Sequence, residues 1–361
     1  MGFADWISNR SKISQNELKN SEDFRKKKQF IEPKIAFLNS DYAFPYIGIV
    51  RGYHITLVLL FLFYLIFKSP LIGILAGINI LFVVLWEFYV GSKTTGIKVE
   101  LRDTVIALLF GALVWFGAGF ILNTPTPINA IVSCSMLPAY ERGDMLILQG
   151  AQIDTMYLEY NGSKKDFENT YAKVEYMSEN YTLNGSLYSF CQENMNTQMC
   201  MDFVKQPSQF VEKHGSIKLV YGVCTKKNIK TSQKKYIPCV KETYYNNQKI
   251  EFSKDYDLLV YQPKKTDLYS VVGDIVHRTR FAINCTDGTI YFTKGDNNPI
   301  YDFQIYTKSY NMGNTPISEH QIKGKDILRI PFIGNFKLFI TPQILFMNDE
   351  ATGCDSYIVE E

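Results

Sequence analysis

Ser133-Cys134-Ser135-Met136-Leu137-Pro138-Ala139-Tyr140-Glu141-Arg142-Gly143-Asp144 begins eleven residues after the last long apolar run of the chain ends at Leu122. Two hydroxyls flank a cysteine, and a proline, a glycine and three charged residues follow. The stretch has two readings. It is a polar turn, since serine-rich loops are common and most are only that. Or it delivers a serine hydroxyl just beyond a bilayer surface. The flanking sequence decides between them.

Three apolar runs precede it. Residues 55–67 are apolar apart from Thr56, residues 71–90 are interrupted only by Asn79 and Glu87, and residues 104–122 carry no charge. A bilayer core needs ~20 apolar residues per helix. The second and third runs meet this, and the first does so if His54 and Lys68 snorkel at its ends. Buried soluble helices account for one such run, hardly for three in succession. A multi-pass α-helical anchor of three spans is predicted over 52–122. Glu87 is costly in lipid and is expected near the interface or against another helix.

Basic residues orient the anchor. Residues 1–51 carry nine Lys or Arg, densest at Arg25-Lys26-Lys27-Lys28, and read as a solvated cytoplasmic tail. No short apolar region follows the initiator Met, so this is not a cleavable targeting signal. The connection between the second and third runs holds Lys93, Lys98 and Arg102; the first holds only Lys68, and the stretch just after Leu122 holds none. The positive-inside rule then puts the N-terminus in the cytoplasm and everything after residue 122 outside.

A length of 361 residues allows two or three units, and a net charge of +2 argues against a nucleic-acid partner. All 7 cysteines follow the apolar half and lack the C-x-x-C spacing of a zinc site. Outside the cytosol, disulfides are their expected use. Cys191 with Cys200, and Cys224 with Cys239, are close enough to staple local loops, although connectivity cannot be deduced from sequence. An odd count leaves at least one thiol unpaired or joined to another chain.

The outside half reads as mainly β. Runs at 144–149, 256–261, 273–281, 289–293 and 330–340 are separated by turn signals such as Asp287-Gly288 and Gly295-Asp296-Asn297-Asn298-Pro299. Residues 150–252 differ: they hold four cysteines and many Tyr, Asn and Lys, and read as an inserted loop-rich module. Sequons at Asn161, Asn180, Asn184 and Asn284 mark candidate N-glycosylation sites. The expected organisation is a tail (1–51), an anchor (52–122), a β domain from 123–149 and 253–345, the insert (150–252) and a polar tail (346–361).

A serine hydroxyl is a poor nucleophile until a base removes its proton. Of four histidines, His54 borders a membrane run, His214 sits in the insert and His320 lies in a polar stretch. His277 lies in the strand-like Gly273-Asp274-Ile275-Val276-His277-Arg278, and imidazole titrates near neutrality, as a general base should. A histidine there can equally be a hydrogen-bonded structural residue. Downstream, Asp296 and Asp302 are both candidates to orient an imidazole, or to cap a polar turn.

Together these segments resemble the type I signal peptidases (peptidase family S26), in their archaeal and endoplasmic-reticulum branch. Ser133-Cys-Ser135-Met-Leu-Pro is similar to the family's Ser-x-Ser-Met-x-Pro box, with Arg142-Gly143-Asp144 following. Asp257-Leu-Leu-Val-Tyr261, Val276-His277-Arg278, Lys294-Gly-Asp296-Asn-Asn298-Pro and Ile330-Pro-Phe-Ile-Gly334 match in the family's order. With the strands around them they cover about a third of the chain.

The resemblance implies a signal-peptidase-like antiparallel β fold and a serine endopeptidase that cleaves signal peptides from exported preproteins. Ser135 would be the nucleophile and His277 the base, where bacterial relatives have a lysine. Asp302 would orient His277, and Asp296 would support the site. The Ser135 amide and the Ser133 hydroxyl would bind the oxyanion, and Met136 and Pro138 belong to the same substrate-facing box. No cofactor or metal is implied. The implied partners are signal peptides, the lipid bilayer and a translocon, at a cell membrane or the endoplasmic reticulum. Cys134 departs from the small glycine usual between the serines. The insert is foreign to the family core, and its position suggests a lid or a docking module. Two other functions fit the same fold: a peptidase specialised for pilin-like or surface proteins, and a catalytically silent membrane glycoprotein.

Overall fold

The computed structural model describes residues 41–44, 48–67, 69–168, 171–340 and 354–359. Residues 1–40 of the expected basic tail, with its Arg25–Lys28 charge run, and residues 341–353, which include the start of the expected polar tail, lie outside the described residues. The chain divides into two compact units, residues 1–113 with 339–346 and residues 114–338 with 347–361.

A hairpin of β1 (Asp41–Phe44) and β2 (Gly48–Arg51) leads into α1 (Gly52–Phe67) and α2 (Pro70–Gly91). Pro70 sits in the first turn of α2, where a missing N–H leaves no bond unmade. A π-helical turn, Ser92–Gly96, then runs directly into α3 (Ile97–Ile121). The loop expected between the second and third apolar runs is therefore helical. Ser92, Thr94 and Thr95 turn their hydroxyls back onto the carbonyls of Tyr89, Val90 and Gly91, which satisfies polar side chains without unwinding the chain. The sequence predicts three separate spans over 52–122. Among the described residues, one segment, Leu71–Ile121, is long and apolar enough to cross a membrane, Gly52–Phe67 is a shorter apolar helix, and three separate spans are not shown. Glu87 does face another helix: it accepts a hydrogen bond from the hydroxyl of the fully buried Tyr53 in α1.

The rest of the chain is mainly β. In order come β3 (Ile128–Ala130), β4 (Met145–Gln149), β5 (Tyr157–Glu159), β6 (Tyr171–Tyr176), β7 (Glu179–Asn184) and the short helices α4 (Leu187–Glu193) and α5 (Gln198–Lys205). Next are β8 (Val211–His214), β9 (Ile217–Asn228), β10 (Lys234–Tyr245), β11 (Gln248–Ile250), β12 (Leu258–Tyr261), β13 (Ile275–Cys285) and β14 (Gly288–Lys294). The chain closes with β15 (Tyr306–Thr307), β16 (Met312–Gly313), β17 (Ile317–Ser318), β18 (Ile322–Ile330), α6 (Asn335–Ile340) and β19 (Ser356–Val359).

One sheet has the order β17-β14-β13-β12-β18-β4-β3, with β5 parallel to β13. Its central strand, β12, is apolar on both faces. Leu258 and Val260 pack with Ile131, Met136, Leu146 and Leu148, while Leu259, Tyr261 and Ile275 form a second cluster. The expected run at 330–340 is corrected here. Its strand lies earlier, at Ile322–Ile330, and residues 331–334 form a turn before α6. Pro331 removes a ladder donor and Phe332 takes φ +65°, so the strand cannot continue.

The second sheet, β11-β10-β9-β8-β6-β7 with β19 on β9, is built largely from residues 150–252. The module expected to be loop-rich is thus a sheet with its own aromatic core of Phe203, Phe210 and Tyr221. It is not detachable from the first sheet, because Ile217, Leu219, Tyr245 and Ile250 share one cluster with Phe281, Ile283 and Phe292. Residues 356–359, expected as tail, pair with Thr225–Asn228 of β9.

Candidate active site

The site gathers at the end of the first sheet. In the antiparallel register Leu259 faces His277, Tyr261 faces Ile275, and Thr293 faces Thr279. With a side-chain period of two, Tyr261, His277 and Thr293 share one face. The Ser133–Asp144 loop brings Ser135 to that histidine. Two features hold the loop. Met136 is fully buried as its anchor, and Gly143 takes φ +96° where a Cβ would run into the Asn335 side chain. Asp144 accepts from the Glu141 amide (2.7 Å) and forms an ion pair with the Arg329 guanidinium (2.6 Å).

Ser135 Oγ lies 2.9 Å from His277 Nε2, and His277 Nδ1 lies 2.7 Å from Asp302 Oδ2. The three side chains make one hydrogen-bonded line. His277 and Asp302 are each only 3% exposed, whereas Ser135 is half-buried and reachable. Oδ2 of Asp302 also accepts from the Thr293 hydroxyl (2.6 Å) and the Tyr261 hydroxyl (3.0 Å). Burial, reinforced by the charge of Asp302, pushes the Tyr261 phenol well up, so it stays a donor.

The two candidate aspartates separate. Asp296 accepts from Arg278 (2.8 Å) and Arg280 (3.4 Å) and bonds to neither Ser135 nor His277. Its neighbour Gly295 passes so close to the Ser135 carbonyl that a Cβ would sit 2.7 Å from it. Asn297 continues the contact: its amide donates to Ser135 O (2.7 Å) and its Nδ2 to Cys134 O (2.9 Å). Ser133 Oγ is 3.0 Å from Ser135 Oγ, so a second hydroxyl stands beside the first. Pro138 is exposed in the middle of the same loop.

Cys134 is bonded to Cys354, a pairing no local spacing signals across 220 residues. The Asn297 carboxamide joins the same junction, donating to Ser356 O (3.0 Å) and accepting from the Ile358 amide (2.7 Å). The two local pairs, Cys191–Cys200 and Cys224–Cys239, are disulfides as expected, and Cys285 is the unpaired thiol. Asn161, Asn180 and Asn184 are exposed, while Asn284 is half-buried and donates to Glu159 (2.8 Å). Sequence reasoning misses Tyr261, Thr293 and Asn297 as site residues. The first two are within its reach, since they share the parity of His277 once the strands are paired.

No protein-family model matches the chain. Over 73 residues, 19% of its length, it is 32% identical to the signal peptidase complex catalytic subunit sec11 of Pyrenophora tritici-repentis (strain Pt-1C-BFP). Over 79 residues, 21% of its length, it is 29% identical to the signal peptidase complex catalytic subunit SEC11 of Leptosphaeria maculans. These alignments span 42% and 46% of the two relatives, so the chain covers less than half the length of the curated proteins it matches. The resemblance to signal peptidases of the endoplasmic-reticulum type, drawn above from motifs, is found again in these two relatives.

Proposed function

We propose that the chain is a membrane-anchored serine endopeptidase that removes signal peptides from translocated preproteins. The observation that carries this reading is the line Ser135 Oγ–His277 Nε2–Nδ1–Asp302 Oδ2, with both links within 2.9 Å. The likeness to two signal peptidase catalytic subunits supports the substrate class.

The chemistry follows from the geometry. His277 carries its proton on Nδ1, donated to Asp302, which leaves Nε2 to accept from Ser135. As Ser135 Oγ attacks the scissile carbonyl carbon, Nε2 takes its proton and Asp302 stabilises the imidazolium. The carbonyl oxygen becomes an oxyanion, for which the Ser135 amide and the Ser133 hydroxyl are the candidate donors. A donor of this kind is worth roughly 2.7–4 kcal/mol in other proteases. The C–N bond then breaks, the imidazolium protonates the leaving amine, and an ester on Ser135 remains. Water attacks the ester with His277 again as base, which frees the signal peptide's carboxylate and returns the proton to Ser135. Asp296 acts at one remove, through Arg278 and Arg280, by holding the Gly295–Asn297 turn against Ser135.

The helices supply the anchor. At 1.5 Å per residue the 51 residues of Leu71–Ile121 would measure roughly 77 Å if straight, more than twice a ~30 Å hydrocarbon core. The 22 residues of α2 and the 25 of α3 each suit one crossing. Gly96, with φ +88°, is the natural place for the chain to turn between them. Together with α1 they make three crossings with a cytoplasmic N-terminus, in a cell membrane or the endoplasmic reticulum, and a catalytic unit on the outer or lumenal side. A serine close to the bilayer sits where the apolar part of a translocated signal ends. The test is direct: the purified protein in detergent cleaves a preprotein bearing an Ala-x-Ala site and Ser135→Ala does not. Cleavage at full rate by Ser135→Ala sinks the proposal.

A further inference from the structure

The segment from Pro299 to Tyr306 carries Asp302, and the second sheet together with α4 grips it along its length. The Val240 amide donates to Pro299 O (2.9 Å), and the Thr243 and Tyr301 hydroxyls are 2.8 Å apart. Ser189 Oγ donates to Gln304 O (3.0 Å) and accepts from the Tyr306 amide (3.2 Å). The strongest grip falls on Gln304, which closes the single 3₁₀ turn Asp302–Gln304 and is wholly buried. Its Oε1 accepts from the Tyr301 amide (2.9 Å), and its Nε2 donates to Glu212 Oε1 (2.8 Å) and the Tyr221 hydroxyl (3.0 Å).

Glu212 is 0% exposed and serves no step of the mechanism above. It accepts from Tyr221 (2.7 Å), the Leu187 amide (2.8 Å), His214 Nε2 (2.6 Å) and Gln304. Burial pushes its carboxyl up, but the His214 contact, the Tyr221 hydroxyl and the Leu187 amide outweigh that and hold it below the ordinary range. A fully desolvated carboxylate with four donors is a rigid point, since releasing any one donor leaves a charge unmatched. One residue, Phe303, separates Gln304 from Asp302, and a lone 3₁₀ turn has little slack between its ends.

We propose that Glu212 is a positioning residue for the peptidase reaction. Through the Gln304 carboxamide it fixes the Asp302 turn, so the inserted sheet is the seat of the catalytic aspartate rather than a lid over the substrate. This rests on the function proposed above and extends it to a sheet foreign to the family core. The consequence is that loss of the Glu212 carboxylate lets Asp302 drift from His277 without touching the substrate-facing loop.

The test measures kcat and KM for preprotein cleavage by the full chain in detergent, in wild type, Glu212→Gln, Asp302→Asn and the double variant. A displacement of about 1 Å in such a group costs about 10²-fold. Glu212→Gln should therefore lose about 10- to 100-fold in kcat with KM unchanged, and should lose nothing further in the Asp302→Asn background. A merely structural role lowers kcat by the same factor in both backgrounds, and that result overturns the proposal, as does wild-type kcat in Glu212→Gln. Should Glu212→Gln fail to fold, Tyr221→Phe, which removes a donor to Glu212 and a partner of Gln304, goes through the same cycle. A loss in kcat that vanishes in the Asp302→Asn background supports the proposal, and an equal loss in both backgrounds or none at all overturns it. A wild-type chain that leaves the preprotein intact overturns the proposed function and this inference with it. A wild-type chain that cleaves, beside additive losses in the cycle, overturns the inference alone.

Discussion

Asp302 and Asp296 look alike in sequence, six residues apart in one polar stretch, yet their surroundings differ and, on the proposed mechanism, so do their tasks. Asp302 takes three donors on one oxygen, His277, Tyr261 and Thr293, and lies in line with the serine. Asp296 neutralises two arginines. Substituting each with asparagine should separate the roles. Asp302→Asn favours the wrong imidazole tautomer and should cut kcat by about 10⁴-fold with the melting temperature nearly kept. Asp296→Asn removes the carboxylate charge shared by Arg278 and Arg280, whose side chains are 11% and 5% exposed, and should cost about 3–5 kcal/mol of stability before it costs catalysis. Thermal denaturation beside steady-state kinetics checks both; the reverse pattern would exchange the two assignments.

At the scale of elements, the Ser133–Asp144 loop is held from both sides, by Gly295–Asn297 and by the C-terminal segment through Cys134–Cys354. Peptide mapping without reduction should recover residues 134 and 354 in one linked fragment, with Cys285 alone taking up an alkylating reagent. Alkylation of Cys134 in native protein would contradict the brace. What is legible here in the sequence follows from physics. The strands of 144–149, 256–261, 273–281 and 289–293 announce themselves because one or both faces are buried and the turns between them carry Asp-Gly or Gly-Asp. The strand of 322–330 hides behind Lys323, Lys325, Asp326 and Arg329, charged residues that pair or reach solvent from a strand with one open face. The inserted sheet is harder still, since Tyr, Lys and Asn on its exposed face mask the period of two. Cys134 and Cys354 are joined across 220 residues by the fold, not by any local pattern.

For the molecule as a whole, topology and pH give two further expectations. Asn161 and Asn180 are exposed, and the proposed orientation, with everything after residue 122 outside the cytoplasm, would make them acceptors in the secretory compartment. Expression in a eukaryotic secretory host should yield a form whose electrophoretic mobility shifts on endoglycosidase treatment, and Asn161→Gln with Asn180→Gln should diminish the shift. An unshifted wild type contradicts the orientation. The pH expectation comes from Glu212, whose folded-state carboxyl lies below its ordinary value of 4.5. Its contribution to stability is complete above that value and is lost as pH falls below it through the lower folded value. Asp267 and Asp326, raised by burial, act in the opposite sense and soften the slope. Melting temperatures taken from pH 6 down to pH 3 should fall less steeply in Glu212→Gln than in wild type; equal slopes would remove Glu212 from the acid response.

The central claim is that Ser135 is a nucleophile activated by His277. A serine-directed fluorophosphonate, followed by peptide mass mapping, reads that reactivity without any assumption about the natural substrate. The adduct should sit on Ser135 in wild type and be absent from His277→Ala under the same exposure. An adduct on any other serine, or labelling of Ser135 at an unchanged rate in His277→Ala, would contradict it.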